Sequence, residues 1–287
     1  MNASDTSVTI IICTRQRPVE LERCLASIPV TLGAQILVAD DSADEVSRQL
    51  VEARFPHVTW IPGPRSGLGA NRNAAVRRAV GRFVLFLDDD AALGPMFLER
   101  ALQVAEEDDR TIVTGRELNN GHLVAALKTN FLGHQKLDYA DDERMSTIVI
   151  NATLFPRSMF ASALFDDTLI YGYDEVDICA RALEAGYRIK ACNEAINFHY
   201  PSVKGRDYYR GQTEISRIYV RYKIYRWIDE DVAKAWTFFI VASIHFFAFT
   251  LKNRGLRSLP SAWKDWLEIF RRVRNSKPQR DLNPGLS

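Results

Sequence analysis

The sequence predicts an α/β protein with a mostly parallel sheet flanked by helices and a helical C-terminal extension. Three observations lead to this prediction. Short apolar runs alternate with segments of helical periodicity over the first hundred residues. Two of these runs end directly in aspartates, at 40–41 and 88–90. Residues 204–287 are instead basic and aromatic-rich, with helical spacing.

The first hundred residues read as strands and helices in alternation. The run VTIIIC at 8–13 is apolar throughout, as expected of a parallel strand that is buried on both faces. Pro18 suits the first turn of the helix that follows. The later elements predicted in this part are strands at 36–39, 58–61 and 83–87, and helices near 46–51 and from Leu68.

The middle of the chain, residues 112–200, is less regular. We predict strands at 112–114, 147–150 and 187–191, and a helix from about 174 to 185 that ends at Gly186. The resulting domain prediction is one α/β domain over 1–203, divided into halves 1–110 and 111–203, and a helical region over 204–287.

Charge is distributed unevenly along the chain. Residues 1–203 hold 20 Lys and Arg against 28 Asp and Glu, whereas residues 204–287 hold 17 against 8. A basic tail indicates an anionic partner, which could be a phosphate, a membrane surface or a nucleic acid. Tyrosines alternate with basic residues over 204–227, as in nucleic-acid binding. Their spacing instead favours a helix that closes over the diphosphate of a ligand, with Arg206 or Arg210 near that group. No nucleic-acid partner is predicted.

Residues 235–251 form a 17-residue stretch without Lys, Arg, Asp or Glu. A helix of that length spans about 25 Å, the short limit for crossing a bilayer. We therefore predict a packed or interfacial helix. Together with an amphipathic segment over 263–274, it would associate with a membrane surface through nearby basic residues. A helical subdomain or an oligomer contact is the alternative.

The three aspartates Asp88, Asp89 and Asp90 follow an apolar strand, at the sheet edge where ligands of parallel sheets bind. In an extended chain Asp88 and Asp90 would point one way and Asp89 the other. Two such carboxylates can hold Mg²⁺ or Mn²⁺, and the ion can hold a diphosphate. The alternative is a solvated acidic loop.

Asp40 and Asp41 end a second strand in the same way. A carboxylate there can accept a hydrogen bond from a nucleobase or a ribose hydroxyl. The alternative is a helix cap formed by Ser42 or Asp44.

Four segments, in this order, resemble the nucleotide-binding half of family 2 glycosyltransferases of the GT-A fold, and bacterial rhamnosyltransferases among them. They are TIIICTRQRP, ILVADDS, GLGANRNAAV and FVLFLDDDA. The later segment FDDTLIYGYDEVDICARALEAGYRIKACNEAINFHYP resembles the acceptor side of that family. The resemblance covers residues 8 to about 201.

The resemblance implies a site for a nucleoside diphosphate sugar and a divalent ion. It places Thr14 and Asp41 in the nucleoside pocket, Arg15 or Arg17 toward the phosphates, Arg72 and Asn73 beside the nucleotide, Asp88 and Asp89 toward the ribose, and Asp90, Asp88 and His199 on the metal, Mn²⁺ or Mg²⁺. For His199 the alternative is an ordinary histidine without a ligand.

Transfer with inversion requires a base that takes the proton of the acceptor hydroxyl. The acidic start of the helix at 174 supplies the candidates, although acidic residues at helix starts are also common for stability alone. The family has Glu-Asp where this chain has Asp174–Glu175. We predict Glu175 as the base, with Asp174 as the alternative, and an acceptor-binding or structural role for Asp177.

The resemblance implies an inverting, metal-dependent glycosyltransferase that uses a UDP or dTDP sugar and a glycan or lipid-linked hydroxyl acceptor. Such an enzyme would act in cell-surface polysaccharide or glycoconjugate synthesis, in the cytoplasm or at the inner face of the plasma membrane. Two alternatives are a sugar-nucleotide pyrophosphorylase, which would need a Gly-rich loop where this chain has TRQRP, and a scaffold without catalysis.

Overall fold

The computed structural model describes residues 7–201 and 206–278, with side chains from 211 onward in the second range. The predicted domain boundary at 203, and the side chains of Arg206 and Arg210, lie outside the described residues. The strands are β1 Val8–Thr14, β2 Gln35–Asp40, β3 Thr59–Pro62, β4 Phe83–Asp88, β5 Ala91–Ala92, β6 Thr111–Asn119, β7 His122–Val124, β8 Lys128–Thr129, β9 Gln135–Leu137, β10 Thr153–Pro156 and β11 Arg188–His199. The α-helices are α1 Pro18–Ala26, α2 Val46–Arg54, α3 Leu68–Val76, α4 Phe97–Ala105, α5 Asp174–Glu184, α6 Arg206–Lys223, α7 Val232–Arg254 and α8 Leu259–Arg274.

One mixed sheet dominates the structure. Its strand order is β3-β2-β1-β4-β10-β6-β11-β5, with β7 paired to β6, and β8 and β9 form a separate pair. The first four strands in this order are parallel to one another, whereas β10 runs antiparallel between β4 and β6. The predicted fold class is therefore confirmed, and the parallel half brings several strand ends to one edge.

Burial on both faces of the sheet explains the continuous apolar runs. In β1, Ile10 and Ile12 join one core cluster while Ile11 joins the other. In β4, Leu85 and Phe86 divide between the same two clusters. Each such fully buried side chain contributes about 1.5–3 kcal/mol relative to exposure, so these strands fix the centre of the sheet.

The predicted strand at 147–150 is wrong. The strand of this region is β10, a few residues later, and the chain before it is held by side chains rather than by a ladder. Thr147 Oγ1 donates to the carbonyl of Leu127 at 2.9 Å, and the amide of Val149 donates to Thr114 Oγ1 at 3.0 Å. The predicted strand at 187–191 is also too short, because β11 continues past an irregularity to His199 and pairs again with β6.

The helices after β11 form a core of their own. Tyr222, Phe238 and Ile269 belong to one buried cluster of α6, α7 and α8. A smaller cluster joins this region to the sheet domain, because Val176 of α5 packs with α6 residues. The C-terminal helices are thus anchored on the helix that carries the predicted base.

Candidate active site

The carboxyl ends of three adjacent parallel strands meet at one edge of the sheet. Thr14 at the end of β1 pairs with Asp40 of β2, and the neighbouring Cys13 pairs with Asp88 of β4. This register places the TRQRP, ADDS and DDD segments side by side, as the sequence predicts. A ligand at this edge would meet side chains from all three segments.

At the end of β2, the two aspartates have different roles. Asp40 is buried and accepts from the Ser42 amide at 2.8 Å and from Trp60 Nε1 at 3.2 Å. Asp41 is half-buried and accepts from the amide of Arg65 at 2.9 Å. Burial raises the pKa of Asp41, although the Arg65 amide and the Arg15 charge oppose that shift. Asp40 shapes the turn, and Asp41 is left at the rim where a nucleoside contact is predicted.

Ser42 does not cap helix α2, so the helix-cap alternative is wrong for this residue. Its hydroxyl accepts from the amide of Gln16 at 2.7 Å and so ties the β1 loop to the β2 loop. Asp44 Oδ1 accepts from the amide of Val46 at 3.2 Å, a weak local contact just before α2.

Asp89 and Asp90 share one arginine. Arg17 donates to Asp89 Oδ1 at 2.6 Å and to Asp90 Oδ2 at 3.1 Å, and Thr14 Oγ1 donates to Asp89 Oδ2 at 2.8 Å. The chain turns at 89–90, so the predicted strand-like alternation, with Asp88 and Asp90 on one face, is wrong. Burial raises the pKa of Asp89 to about 7 against the opposing charge of Arg17. Arg15, by contrast, is exposed at the rim.

Arg72 connects the two predicted halves of the site. Its side chain is 2% exposed, and it donates to Asp88 at 3.1 Å from Nη2 and to Asp174 from Nη1. Its guanidinium lies 5.3 Å from the ring centroid of Phe165. Burial lowers the pKa of Arg72, but the charges of Asp174 and Asp88 outweigh burial and raise that pKa above its usual value. The guanidinium therefore stays ionised. Arg72 therefore fixes the end of β4 against the start of α5.

Asn73 is next to Arg72 but binds the backbone rather than carboxylates. Its amide nitrogen donates to the carbonyl of Phe165 at 2.9 Å, and its amide oxygen accepts from the Phe165 amide at 2.9 Å. Both polar atoms of this buried side chain are thus used on the backbone. These bonds hold the segment before α5, and the place of Asn73 beside the nucleotide stays a prediction.

Asp90 and His199 lie close together because β5 pairs with the end of β11. Ala91 is opposite His199 in that pair, and the amide of Tyr200 donates to the Asp90 carbonyl at 2.8 Å. His199 Nε2 lies 3.2 Å from Asp90 Oδ1. The other ring nitrogen, Nδ1, contacts Glu117 Oε1.

Glu117 and Asn151 are site residues that were not predicted from the sequence. Glu117 is 6% exposed and lies between His199 and Asn151, whose Nδ2 is 3.4 Å from Glu117 Oε2. Asn151 Oδ1 accepts from the amide of Asp88 at 2.7 Å. The sequence offers little signal for them, since Glu117 follows Arg116 in the mixed polar and apolar segment TIVTGRELN of β6.

The pair Asp90 and His199 fits a divalent ion, and Asp88 does not join it. Adjacent ligands of an octahedral ion with bonds near 2.1 Å lie about 3.0 Å apart, and the observed separation is 3.2 Å. No group of three or more His, Cys, Asp and Glu side chains within the described ranges is arranged to hold a metal. Asp88 is instead held by Arg72 and Asn151. Mg²⁺ and similar ions commonly take one or two protein ligands and complete their shell with water and substrate phosphates.

Protonation of His199 bears on that fit. Burial would lower the pKa of His199, but hydrogen bonds to Asp90 and Glu117 raise it to about 10. Metal ligation needs the neutral imidazole, so binding at this pair would release a proton.

Glu175 lies at the start of α5, next to Asp174. It is half-buried, and Gln135 of β9 donates a hydrogen bond to it. Burial, followed by the charge of Asp174, raises the pKa of Glu175 to about 7. Asp174 is already paired with Arg72. Of the two adjacent carboxylates, Glu175 is therefore the one whose raised pKa suits a base near neutral pH.

Asp177, one turn further along α5, is fully buried in an ion-pair network. Its Oδ2 accepts from Arg181 Nε at 2.9 Å, and its Oδ1 lies 2.5 Å from Lys223 Nζ. Lys223 also binds Asp166 at 2.6 Å. These contacts favour the structural role among the two predicted for Asp177.

A cavity of about 470 Å³ lies on the other side of α5. Apolar residues that include Val176, Ala180 and Ile224 line it, together with Arg144 and Arg221. None of the strand-end carboxylates is among its lining residues, so it is separate from the candidate donor site.

Solved structures share the fold of this protein. TarS of S. aureus (residues 1–349) superposes with a TM-score of 0.63 at 18% identity and covers 93% of this chain and 81% of its own. GalNAc-T7, crystallised with UDP, GalNAc and Mn²⁺, gives 0.63 at 14% identity, over 88% of this chain and 58% of its own. The fold, with carboxylates gathered at its strand ends, is that of a GT-A glycosyltransferase.

The family follows from the sequence match. The model of glycosyl transferase family 2 matches residues 9–161, more than half of the chain, and the protein belongs to that family. The alternative of a pyrophosphorylase is thereby left without support.

Two curated relatives illustrate the range of similarity. The succinoglycan biosynthesis protein ExoM of Rhizobium meliloti is 31% identical over 116 residues, which is 38% of this chain and 38% of ExoM. The uncharacterized glycosyltransferase YwdF of Bacillus subtilis is 26% identical over 193 residues, 64% of this chain and 70% of YwdF. The match thus spans well under two thirds of ExoM's length.

Proposed function

We propose that this glycosyltransferase moves a sugar from a nucleoside diphosphate, UDP or dTDP, to a hydroxyl acceptor with inversion at the anomeric carbon. One observation carries the proposal: Arg72 binds Asp88 at the donor-side strand end and Asp174 beside Glu175 at the acceptor side. A sugar held at the end of β4 would therefore lie close to a carboxylate of raised pKa. No side chain needs to form a covalent intermediate.

The proposed chemistry has a single displacement. Glu175 takes the proton of the acceptor hydroxyl while the oxygen of that hydroxyl forms a bond to the anomeric carbon. The bond from that carbon to the diphosphate oxygen breaks, and the diphosphate leaves with the electron pair. A divalent ion at Asp90 and His199 would supply positive charge against the growing charge of the leaving group. Arg17 is held within reach of the same group by Asp89 and Asp90.

Donor recognition is assigned to Asp41, Thr14 and the exposed Arg15. We expect Gly63→Ala to raise the apparent Kd for UDP about tenfold, because a Cβ there would lie 2.1 Å from Asp41 Oδ1 and 2.9 Å from the Asp40 carbonyl. Isothermal titration with UDP measures this. Gly211→Ala is the matched control, since the nearest described atom that its Cβ would meet beyond its own helix turn is Asp265 Oδ2, at 3.9 Å. Unchanged UDP affinity in Gly63→Ala would remove Asp41 from the nucleoside pocket.

The metal assignment has its own test. We expect Mn²⁺ with UDP to raise the Tm of the wild type, since a ligand that binds the native state stabilises it. Asp90→Asn and His199→Ala should each lose the Mn²⁺-dependent part of that shift, whereas Asp88→Asn should keep most of it. A full Mn²⁺ response in Asp90→Asn would place the ion elsewhere.

We assign the acceptor to glycans or lipid-linked glycans, in polysaccharide or glycoconjugate synthesis on the cytoplasmic side of a membrane. The donor could be a hexose or, as the resemblance to rhamnosyltransferases suggests, a deoxyhexose. A Tm screen of UDP and dTDP sugars with Mn²⁺ or Mg²⁺ tests the whole assignment, and a protein that no nucleotide stabilises would contradict it.

A further inference from the structure

The outer face of α7 is apolar and exposed. Ile240 is 57% exposed and Ile244 is 65% exposed, and Trp236 lies one turn before Ile240 on the same side. No charged residue occurs between 235 and 251. Large exposed apolar faces mark binding surfaces, so we expect the outer face of α7 to bind a partner.

The inner face of α7 shows how the helix sits. Phe238 and Phe239 pack into the cluster with α6 and α8, and Trp266 of α8 donates to Ser243 Oγ at 3.0 Å. Among the described helices α7 alone is long and apolar enough to cross a bilayer, yet 28% of its most apolar window is buried in the protein. The adjoining α8 carries Asp265 and Glu268 along the same bundle. A spanning α7 would draw those charges into hydrocarbon, so a position in the plane of a surface costs far less.

The corner between α7 and α8 combines apolar and basic groups. Gly255 turns the chain there with φ 74°, and Leu256 next to it is 72% exposed. Over residues 232–278 the sequence holds nine Lys and Arg against two Asp and Glu. The exposed residues at this corner include Phe249, Lys252, Arg254, Arg257, Trp263 and Lys264.

The opposite end of α7 differs. Asp229 pairs with Lys234 at 2.7 Å, and Asp231 caps the helix by accepting from the Lys234 amide at 2.8 Å. Positive charge is therefore concentrated at the C-terminal end of the exposed apolar face. That distribution complements a surface that is apolar inside and anionic at its rim.

We propose that the outer face of α7 and the α7–α8 corner form a docking surface for an anionic lipid bilayer. The helix lies in the plane of the interface, with Ile240 and Ile244 facing the acyl chains. Arg254 and Arg257 contact the headgroups, and Trp263 lies at headgroup level, where tryptophan is enriched. The proposal does not depend on the transferase reaction, because vesicle binding needs neither donor nor acceptor.

Vesicle sedimentation of the full chain tests this surface. We expect binding to vesicles of phosphatidylcholine with 30% phosphatidylglycerol, with little binding to phosphatidylcholine alone. Ile240→Asp/Ile244→Asp should abolish it, and Arg254→Glu/Arg257→Glu should weaken it about tenfold or more, since each basic group near an anionic surface contributes measurably. A wash at pH 11 should release the bound protein, as expected for a helix that does not span.

Two matched controls separate this surface from general effects. Val30→Asp adds a charge at another exposed apolar position, and Arg77→Glu/Arg78→Glu reverses two exposed arginines on the sheet domain. Both should bind vesicles like the wild type, with unchanged far-UV circular dichroism in every variant. Absence of binding to either vesicle overturns the proposal. So does a wild-type dimer that Ile240→Asp/Ile244→Asp converts to a monomer, because the face would then join two copies of the chain.

Discussion

Replacing Glu175 with glutamine is expected to lower kcat for sugar transfer by roughly 10²- to 10⁴-fold, the range for loss of a general base. Glutamine keeps the size of the side chain and its place at the start of α5, so UDP affinity should change little. Steady-state kinetics with the donor and acceptor found in the binding screen measure kcat, and titration with UDP measures the affinity. Glu184→Gln, at the other end of the same helix, is the matched control and should retain activity.

The pH dependence gives a second readout for the same residue. Only the carboxylate form can take a proton, and the pKa of Glu175 is about 7. The kcat/KM of the wild type should therefore rise with pH and level off above about 7, and Glu175→Gln should lose this limb. An acid limb that persists in Glu175→Gln would assign the base elsewhere.

Stability distinguishes loss of the base from loss of the fold. A carboxyl whose folded pKa lies above its unfolded value opposes folding once it ionises, so this cost is present at pH 8 and disappears at low pH. Glu175→Gln should accordingly be at least as stable as the wild type at pH 8. Asp174→Asn should instead be less stable, because buried Arg72 would keep only Asp88 as a charged partner.

The sequence predicted the positions of the donor-side strand ends well, because local order determines them. An apolar strand that ends in aspartates needs only parallel pairing to bring Asp41 and Asp88 to one edge, and the register of β1 supplies that pairing. The GLGANRN segment led to the prediction that Arg72 lies in the site, and the structure places this residue between Asp88 and Asp174. That segment did not reveal that Asn73, one residue further on, is used on the backbone of Phe165.

What the sequence could not predict depends on contacts between distant segments. Glu117 and His199 are 82 residues apart in the chain, and Asn151 and Asp88 are 63 apart. Strand β10 is short and includes Pro156, so its own pattern is weaker than that of 147–150, yet its place between β4 and β6 decides the pairing. The predicted ligand set of Asp88, Asp90 and His199 depends on distant contacts too. Asp88 pairs with Arg72, whereas Asp90, beyond the turn at Asp89, pairs with Arg17.

Replacing Lys223 with methionine is expected to lower the free energy of unfolding by about 3–5 kcal/mol, the cost of removing one partner from a buried ion pair. Lys223 is 4% exposed and binds Asp166 at 2.6 Å and Asp177 at 2.5 Å. Without it, both carboxylates stay buried, and the remaining side-chain partners of Asp166 among the described residues, Thr168 and Tyr219, are neutral. Urea denaturation at pH 7 measures the change.

The exposed pair of Lys190 and Glu107, at 2.8 Å, provides the control. Lys190→Met should cost less than about 1 kcal/mol, because water and salt screen such a pair. The double variant Lys223→Met/Asp177→Asn should lose less than the sum of its single variants, since the two residues contact each other. Additive losses, or a Lys223→Met variant no less stable than the control, would contradict the network.

The effect of acid on this network has a defined sign. Burial would raise the pKa of Asp166, but Lys223 lowers it to about 2. Its contribution to stability is therefore complete above the unfolded pKa near 4 and is lost as the pH falls toward 2. The gap between the wild type and Lys223→Met should be wide at pH 7 and narrower at pH 3. Because Lys223 belongs to α6 and Asp177 to α5, the same variant should also lower kcat, by loosening the helix that holds Glu175.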